Sequence, residues 1–166
     1  MPRFVNMYEC FDYFDQILLL YLRYSKFLDD DYAYDSLPVN IYFENLIKRT
    51  SPYFFVIAEG NEAAGFVYLD NFTGNSQKLH CAELVTCISK KYWGEYTKKC
   101  AEIFIPFCFN VLNLKKIKTL VYPENFRTKA LLKFAGFEKE ALLKGETMRN
   151  NKMQDIEIYS CRKAEK

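Results

Sequence analysis

Apolar side chains recur at positions 10, 14, 17, 21 and 24, with a second row at 11, 18 and 22. That is the spacing of one wide helical face, so Cys10 to Phe27 is expected to form a deeply packed helix. A short strand over residues 3 to 8 is expected before it. The charged run Leu28-Asp29-Asp30-Asp31-Tyr32-Ala33-Tyr34-Asp35 breaks the pattern. Asp35 or Ser36 followed by Pro38 then signals a second helix, to about Lys48.

Beyond Lys48 the period shortens. Tyr53 to Glu59 is aromatic and branched, Gly60-Asn61 is a hairpin signal, and Ala63 to Phe72 continues as a strand with Gly65 inside it. Gly74-Asn75-Ser76 turns the chain into Lys78 to Ser89, which completes an antiparallel meander. Gly94 to Asn113 reads as a helix in which Pro106 removes one backbone hydrogen bond and introduces a kink. Ile117 to Val121 is a strand. Asn125 to Ala135 is a helix closed by Gly136, and Glu138 to Met148 with Gln154 to Cys161 forms a last hairpin around Asn150-Asn151. The order β-α-α-β-β-β-α-β-α-β-β predicts an α+β domain with a mostly antiparallel sheet and helices on its faces.

Composition narrows the class. The chain has 166 residues, half of them apolar and 17% aromatic, enough for one domain with its own packed core. A formal charge of +2 gives no global basic footprint, so nucleic acid is not an expected partner. Six cysteines stand without a CxxC pair and beside a single histidine, His80. Zinc-ligand spacing is therefore missing, no metal is expected, and His80 reads as structural. Free cysteines inside apolar patterns suit a reducing, cytoplasmic setting. The N-terminus lacks signal-peptide architecture, and Ile17 to Leu22 is too short a run to span a bilayer, so no membrane partner is expected either. No internal repeat or linker marks a second domain.

The junction at Lys90-Lys91-Tyr92-Trp93-Gly94-Glu95-Tyr96-Thr97-Lys98-Lys99 carries candidate chemistry. A loop that opens a helix leaves backbone N–H groups unpaired at the positive end of the helix dipole, a ready site for phosphate, and four lysines bracket it. The other reading of those lysines is a solvated helix start.

Strand, glycine-containing loop and helix, followed by Asn125-Phe126-Arg127-Thr128 and then Gly136-Phe137, resemble the GCN5-related N-acetyltransferase (GNAT) superfamily. The closing stretch, Gly136-Phe137-Glu138 through Arg149-Asn150-Asn151 to Asp155-Ile156-Glu157-Ile158-Tyr159-Ser160, is similar to the subgroup that acetylates ribosomal-protein N-termini. The likeness covers about residues 50 to 163. It implies a GNAT-like mixed, mostly antiparallel twisted sheet of six or seven strands with a splayed central parallel pair. It further implies an acetyl-CoA-dependent N-acetyltransferase that moves an acetyl group to a primary amine, a protein N-terminus or a small cationic amine, by direct transfer in a ternary complex.

The resemblance also places a site. The family's pyrophosphate loop, (Gln/Arg)-x-x-Gly-x-(Gly/Ala), falls on Lys91-Tyr92-Trp93-Gly94-Glu95-Tyr96, which keeps a cation and the glycine but has Tyr96 at a small-residue position. Backbone groups of Thr86, Cys87 and Ile88 would pair with the pantetheine arm of acetyl-CoA, and Asn125 would contact the cofactor or an ordered water. Glu83 is the candidate general base; its alternative is a strand glutamate in a structural ion pair. The family's acid tyrosine falls on Leu132, with Tyr122 as a substitute set against ordinary packing. The loop of Asp29, Asp30, Asp31 and Asp35 is either a solvated loop or the border of an acceptor cleft that favours cations. Tyr96 and Leu132 motivate the other functional class, a non-catalytic structural or assembly relative. Aromatics of the closing hairpin are natural homodimer contacts.

Overall fold

Strand Phe54–Glu59 carries apolar side chains on both faces, with Phe54 and Val56 packed to one side and Phe55 and Ile57 to the other. Such a strand belongs inside a sheet covered on both sides. In the computed structural model, which describes residues 1–9 and 11–164, it is β2 of a seven-stranded sheet. The others are β1 (Arg3–Asn6), β3 (Glu62–Gly74), β4 (Leu79–Ile88), β5 (Lys116–Val121), β6 (Glu138–Arg149) and β7 (Lys152–Arg162). The strand order is β1-β2-β3-β4-β5-β7-β6, and every neighbouring pair is antiparallel except β4 with β5.

Helices α1 (Phe14–Leu28) and α2 (Val39–Thr50) cover one face, where Tyr21 stacks on Phe43 at 4.6 Å among Met7, Ile17, Phe54 and Phe66. Helices α3 (Glu95–Asn110) and α4 (Phe126–Phe134) cover the other through Phe104, Cys108 and Leu132, joined by Phe137 just before β6 and packed on Ile57, Leu84 and Ile117. The element order expected from the sequence is the observed one.

Boundaries shift for local reasons. Cys10, the expected start of the first helix, lies outside the described residues; Phe11–Tyr13 form a 3-10 turn and the α-helix starts at Phe14. The second helix starts behind Pro38 rather than at residue 35 or 36, because Asp35 and Ser36 take left-handed φ values of 39° and 65° and make a turn instead. Helix α3 runs on through Pro106 and stops at Asn110, three residues short of the expected end. Asn150 and Asn151, at φ 52° and 58°, are the two turn residues between β6 and β7, the conformation that a tight hairpin requires.

One feature of the sheet positions the site. Parallel pairing joins Cys81 to Lys116, Ala82 to Ile117 and Glu83 to Lys118, and goes no further. Pairing with β3 nevertheless carries β4 on to Ile88, opposite Gly65, and pairing with β7 carries β5 on to Val121. The two strands therefore part toward their C-terminal ends. Gly65 permits the close approach on the other side of β4: a Cβ there would lie 2.2 Å from the Cys87 carbonyl oxygen.

Candidate active site

The gap between the diverging strands is lined by backbone. Ser89 N–H donates to the Ala64 carbonyl, and the Cys87 carbonyl lies against Gly65. Alternation along an antiparallel ladder then turns the odd-numbered residues of this end of β4 toward β3 and the even-numbered ones toward the gap. Thr86 and Ile88 thus face it, whereas the Cys87 carbonyl faces β3. The Cys87 side chain packs under α1 and α2, and burial pushes its thiol up to about 12. The Ile88 carbonyl is already taken by the Trp93 indole N–H at 2.8 Å. On the α3 and α4 side the gap opens into a cavity of about 60 Å³ whose walls include Leu84, Thr86, Ile88, Phe104, Thr128 and Leu132.

At the outer end of β4 the chain makes a 3-10 turn, Lys90–Tyr92, and enters α3 through Gly94. Gly94 sits at φ 97°, ψ −129°, no side chain caps the helix, and a Cβ on Gly94 would meet nothing within 4 Å. The first-turn N–H groups at Glu95 to Thr97 accordingly face an open approach. The lysines divide. Lys91 pairs with Glu62 at 2.6 Å, which also accepts from the Tyr92 hydroxyl, and Lys98 pairs with Glu95 at 2.6 Å. Lys90 and Lys99 have no carboxylate partner among the described residues. Arg127, at the start of α4, lies over the Trp93 ring at 4.1 Å and adds a cation that the sequence reading did not select.

Tyr96, the residue at the small position, turns inward. Its ring packs on Tyr92 at 4.9 Å, and burial, Cys100 and the Glu59 carboxylate all raise its hydroxyl. It does not fill the space in front of Gly94. Asn125 caps α4 by accepting the Thr128 N–H at 3.3 Å, and so serves the helix through that oxygen.

Glu83 sits in the last parallel pair, at the inner end of the gap, with its side chain on the α1 and α2 face. Lys118 Nζ is 3.1 Å from one carboxylate oxygen and Asn71 Nδ2 donates to the other at 2.8 Å. The ion pair weighed from the sequence is present, at the position where the two strands separate. Leu132 is buried against the cavity and supplies no acid. Tyr122, 6% exposed, donates to the Asp29 carbonyl at 3.1 Å and carries Arg149 over its ring at 3.9 Å.

The acidic loop is docked rather than merely solvated. Asp31 accepts the N–H groups of Asn150 and Asn151, each at 2.9 Å, and its own N–H donates to Met148. Asp30 accepts the Thr147 hydroxyl at 2.6 Å. Arg149 holds Glu124 at 2.9 Å and donates to the Lys26 carbonyl. The α1–α2 loop and the β6–β7 turn thereby clasp each other beside the end of β5. Asp29 stands outside this clasp: Tyr21 and Tyr34 donate to it at 2.5 and 2.9 Å, and burial raises its pKa. Its neighbourhood joins Tyr21 of α1 and Tyr34 of the following loop with Tyr122, just past β5.

The family described as the acetyltransferase (GNAT) domain matches residues 25–138. An uncharacterized N-acetyltransferase of Bacillus licheniformis, p20, is 26% identical over 151 residues, which is 87% of this chain and 80% of that protein. Spermidine N-acetyltransferase from Vibrio cholerae, solved with CoA and spermine, superimposes with a TM-score of 0.75 at 19% identity over 98% of this chain and 94% of its own. The ribosomal-protein-S5-alanine acetyltransferase of Vibrio fischeri gives 0.71 at 18% identity over 97% and 91%. These two likenesses concern the fold.

Proposed function

Since the chain belongs to the GNAT acetyltransferase family, and is an acyltransferase, we propose that it moves the acetyl group of acetyl-CoA to a primary amine by direct transfer in a ternary complex. The observation that carries this reading is the parting of β4 and β5 after Glu83 and Lys118. Unsatisfied backbone groups in the middle of a sheet demand a partner. An extended amide-bearing arm supplies one by pairing as a strand would. The residues present fit such a ligand: Gly94 and the uncapped start of α3 receive the pyrophosphate, with Arg127 and Lys90 adding positive charge, while Thr86 and the Ile88 N–H line the path inward. The bound co-substrate brings an activated thioester.

An arm anchored at the start of α3 and running inward along β4 delivers its reactive end near Glu83. There the carboxylate takes the ammonium proton, directly or through water, once the amine has displaced Lys118 or Asn71 from one of its oxygens. The departing thiolate, with a pKa near about 8.5 for an ordinary thiol, leaves without a dedicated acid. Calorimetric titration with acetyl-CoA, followed by a thiol-release assay with primary amines, tests the proposal. Saturable binding and thiol release are expected; no heat at millimolar acetyl-CoA would overturn it.

A further inference from the structure

Carboxylates on the α1 and α2 face of the sheet are almost all spoken for. Glu83 is paired with Lys118, Asp70 with Arg49 at 2.9 Å, Asp30 accepts a hydroxyl, and Asp31 accepts two backbone N–H groups. Asp29 differs. Both tyrosine hydroxyls that reach it, from Tyr21 and Tyr34, donate to the same oxygen, Oδ2. Among the described residues Oδ1 has no partner, and no basic side chain pairs with the carboxylate. Oδ1 is not sealed in either, for among the described residues the buried unpartnered side-chain oxygens are Glu59 Oε2 and Tyr96 Oη. A half-buried anion is thus held rigidly by one oxygen and offers the other.

Its surroundings are aromatic. Tyr34 meets Tyr42 edge-on at 5.2 Å, Tyr42 faces Tyr21 at 6.3 Å, and the negative charge of Asp29 raises the hydroxyls of Tyr42 and Tyr68 alongside burial. Tyr68, partly buried beside them, has a hydroxyl with no hydrogen-bond partner among the described residues. Tyr68 lies across from Val85 on the free part of β4, and Tyr122, just past the end of β5, donates to the Asp29 carbonyl. Asp29 is thus tied to the residue that follows β5, at the end of the strand that parts from β4. A half-buried anion with no paired basic side chain, set among tyrosines, is complementary to an ammonium.

We propose that Asp29, oriented by Tyr21 and Tyr34 and walled by Tyr42, Tyr68 and Tyr122, binds the acceptor's ammonium group, and that the acceptor is a primary alkylammonium. The assignment rests on the acetyl-transfer reading above and adds to it a residue that determines specificity. An aliphatic chain suits the aromatic walls, and the same chemistry is offered by a small diamine or by a lysine side chain.

Calorimetry on the full chain in the presence of CoA provides the test. 1,4-Diaminobutane, N-acetyl-lysine methylamide, an alanyl tripeptide and 1,4-butanediol serve as probes for Asp29→Asn, Tyr68→Phe and the unaltered protein. Asn retains an oxygen for the two tyrosines, so the fold should be kept and CoA affinity should stay within about twofold. Affinity for the alkylammonium probes should fall about tenfold or more in Asp29→Asn, a loss of about 1.4 kcal/mol, and less in Tyr68→Phe. Which of the diamine and the lysine derivative binds more tightly identifies the source of the ammonium, and either supports the proposal. Equal amine affinity in Asp29→Asn and the unaltered protein overturns it, as does preference for the tripeptide or equal binding of the diol. Failure of CoA to bind while the amines still do would instead count against acetyl transfer and leave the amine site standing.

Discussion

Gly65→Ala tests whether the separation of β4 from β5 is held from the far side of β4. Gly65 pairs opposite Ile88, and an added Cβ would stand 2.2 Å from the Cys87 oxygen and 2.9 Å from Ile88 Cα, both backbone atoms, where ordinary contact begins at 3.4 Å. Rotamer changes cannot relieve a clash with backbone. The end of β4 must retreat by about 1.2 Å, as the steep repulsive wall between nonbonded atoms requires. Away from β3 there is one direction to go, into the gap, since pairing with β5 has already ended at Glu83. The overpacking should cost about 1–3 kcal/mol, read as a lower urea midpoint and a Tm lower by about 2–4 °C per kcal/mol.

The functional effect should exceed what instability explains. A shift of about 1 Å takes a 2.9 Å hydrogen bond beyond bonding range, and losing two such bonds from Thr86 and Ile88 at about 0.5–1.5 kcal/mol each weakens CoA binding about tenfold or more. Gly60→Ala is the control. Gly60 has φ +60° and no atom within 4 Å of its Cβ position, so Ala there costs about 1–2 kcal/mol in backbone strain and leaves CoA affinity alone. If Gly65→Ala binds CoA like the unaltered protein at an unchanged urea midpoint, the gap is not held open by this approach.

Four further outcomes are expected. Gly94→Ala forces a side chain into φ 97°, ψ −129°, a region open essentially to glycine at a cost of about 1–3 kcal/mol; weaker CoA binding in calorimetry should accompany the strain. Glu83→Gln should lower kcat about 100-fold or more if the carboxylate takes the proton, with CoA affinity unchanged, whereas activity within about threefold would leave it only the partner of Lys118. Burial raises the Asp29 pKa, so ionised Asp29 disfavours the folded state: its contribution to stability is present below the unfolded carboxyl pKa and lost as pH rises through the folded value. Asp29→Asn should therefore gain in relative Tm between pH 4 and pH 8, and a flat difference would refute the assignment. Glu157 has the opposite sign, held below the usual carboxylate range chiefly by Lys139 at 2.8 Å and further by Tyr159 and Lys129; Glu157→Gln should destabilise at pH 7 and its deficit should shrink as pH falls below about 4.

What the sequence made legible was local. Helical spacing in residues 14 to 24, the strand meander and the Asn150-Asn151 turn depend on neighbours a few residues apart, and each appears where its pattern put it. Misplaced boundaries also had local causes. Asp35 and Ser36 looked like a helix start, but both adopt left-handed φ and close a turn before Pro38. Glycine inside a strand pattern signalled close backbone approach at Gly65 without saying to what; only the register opposite Ile88 reveals it. Lys91 illustrates the limit most plainly, because its partner Glu62 stands 29 residues away across a hairpin whose position the charge run alone does not fix.

The two halves of the site differ in legibility because they are built from different material. On the proposed co-substrate side the groups are main-chain N–H and C=O, left where β4 and β5 separate and where α3 begins. Their only sequence requirements are a glycine at position 94 and freedom from side chains in front of it. Tyr96 leaves that space open, since its ring turns back onto Tyr92. On the proposed acceptor side the groups are side chains, some near in sequence, as Tyr21 with Asp29, and one, Tyr122, brought to Asp29 from 93 residues away. The clasp between Asp31 and the Asn150-Asn151 turn sets their spacing. Changes confined to Tyr34, Tyr42 or Tyr68 can consequently alter which amine is accepted while the main-chain cradle, and with it the affinity for CoA, stays as it is.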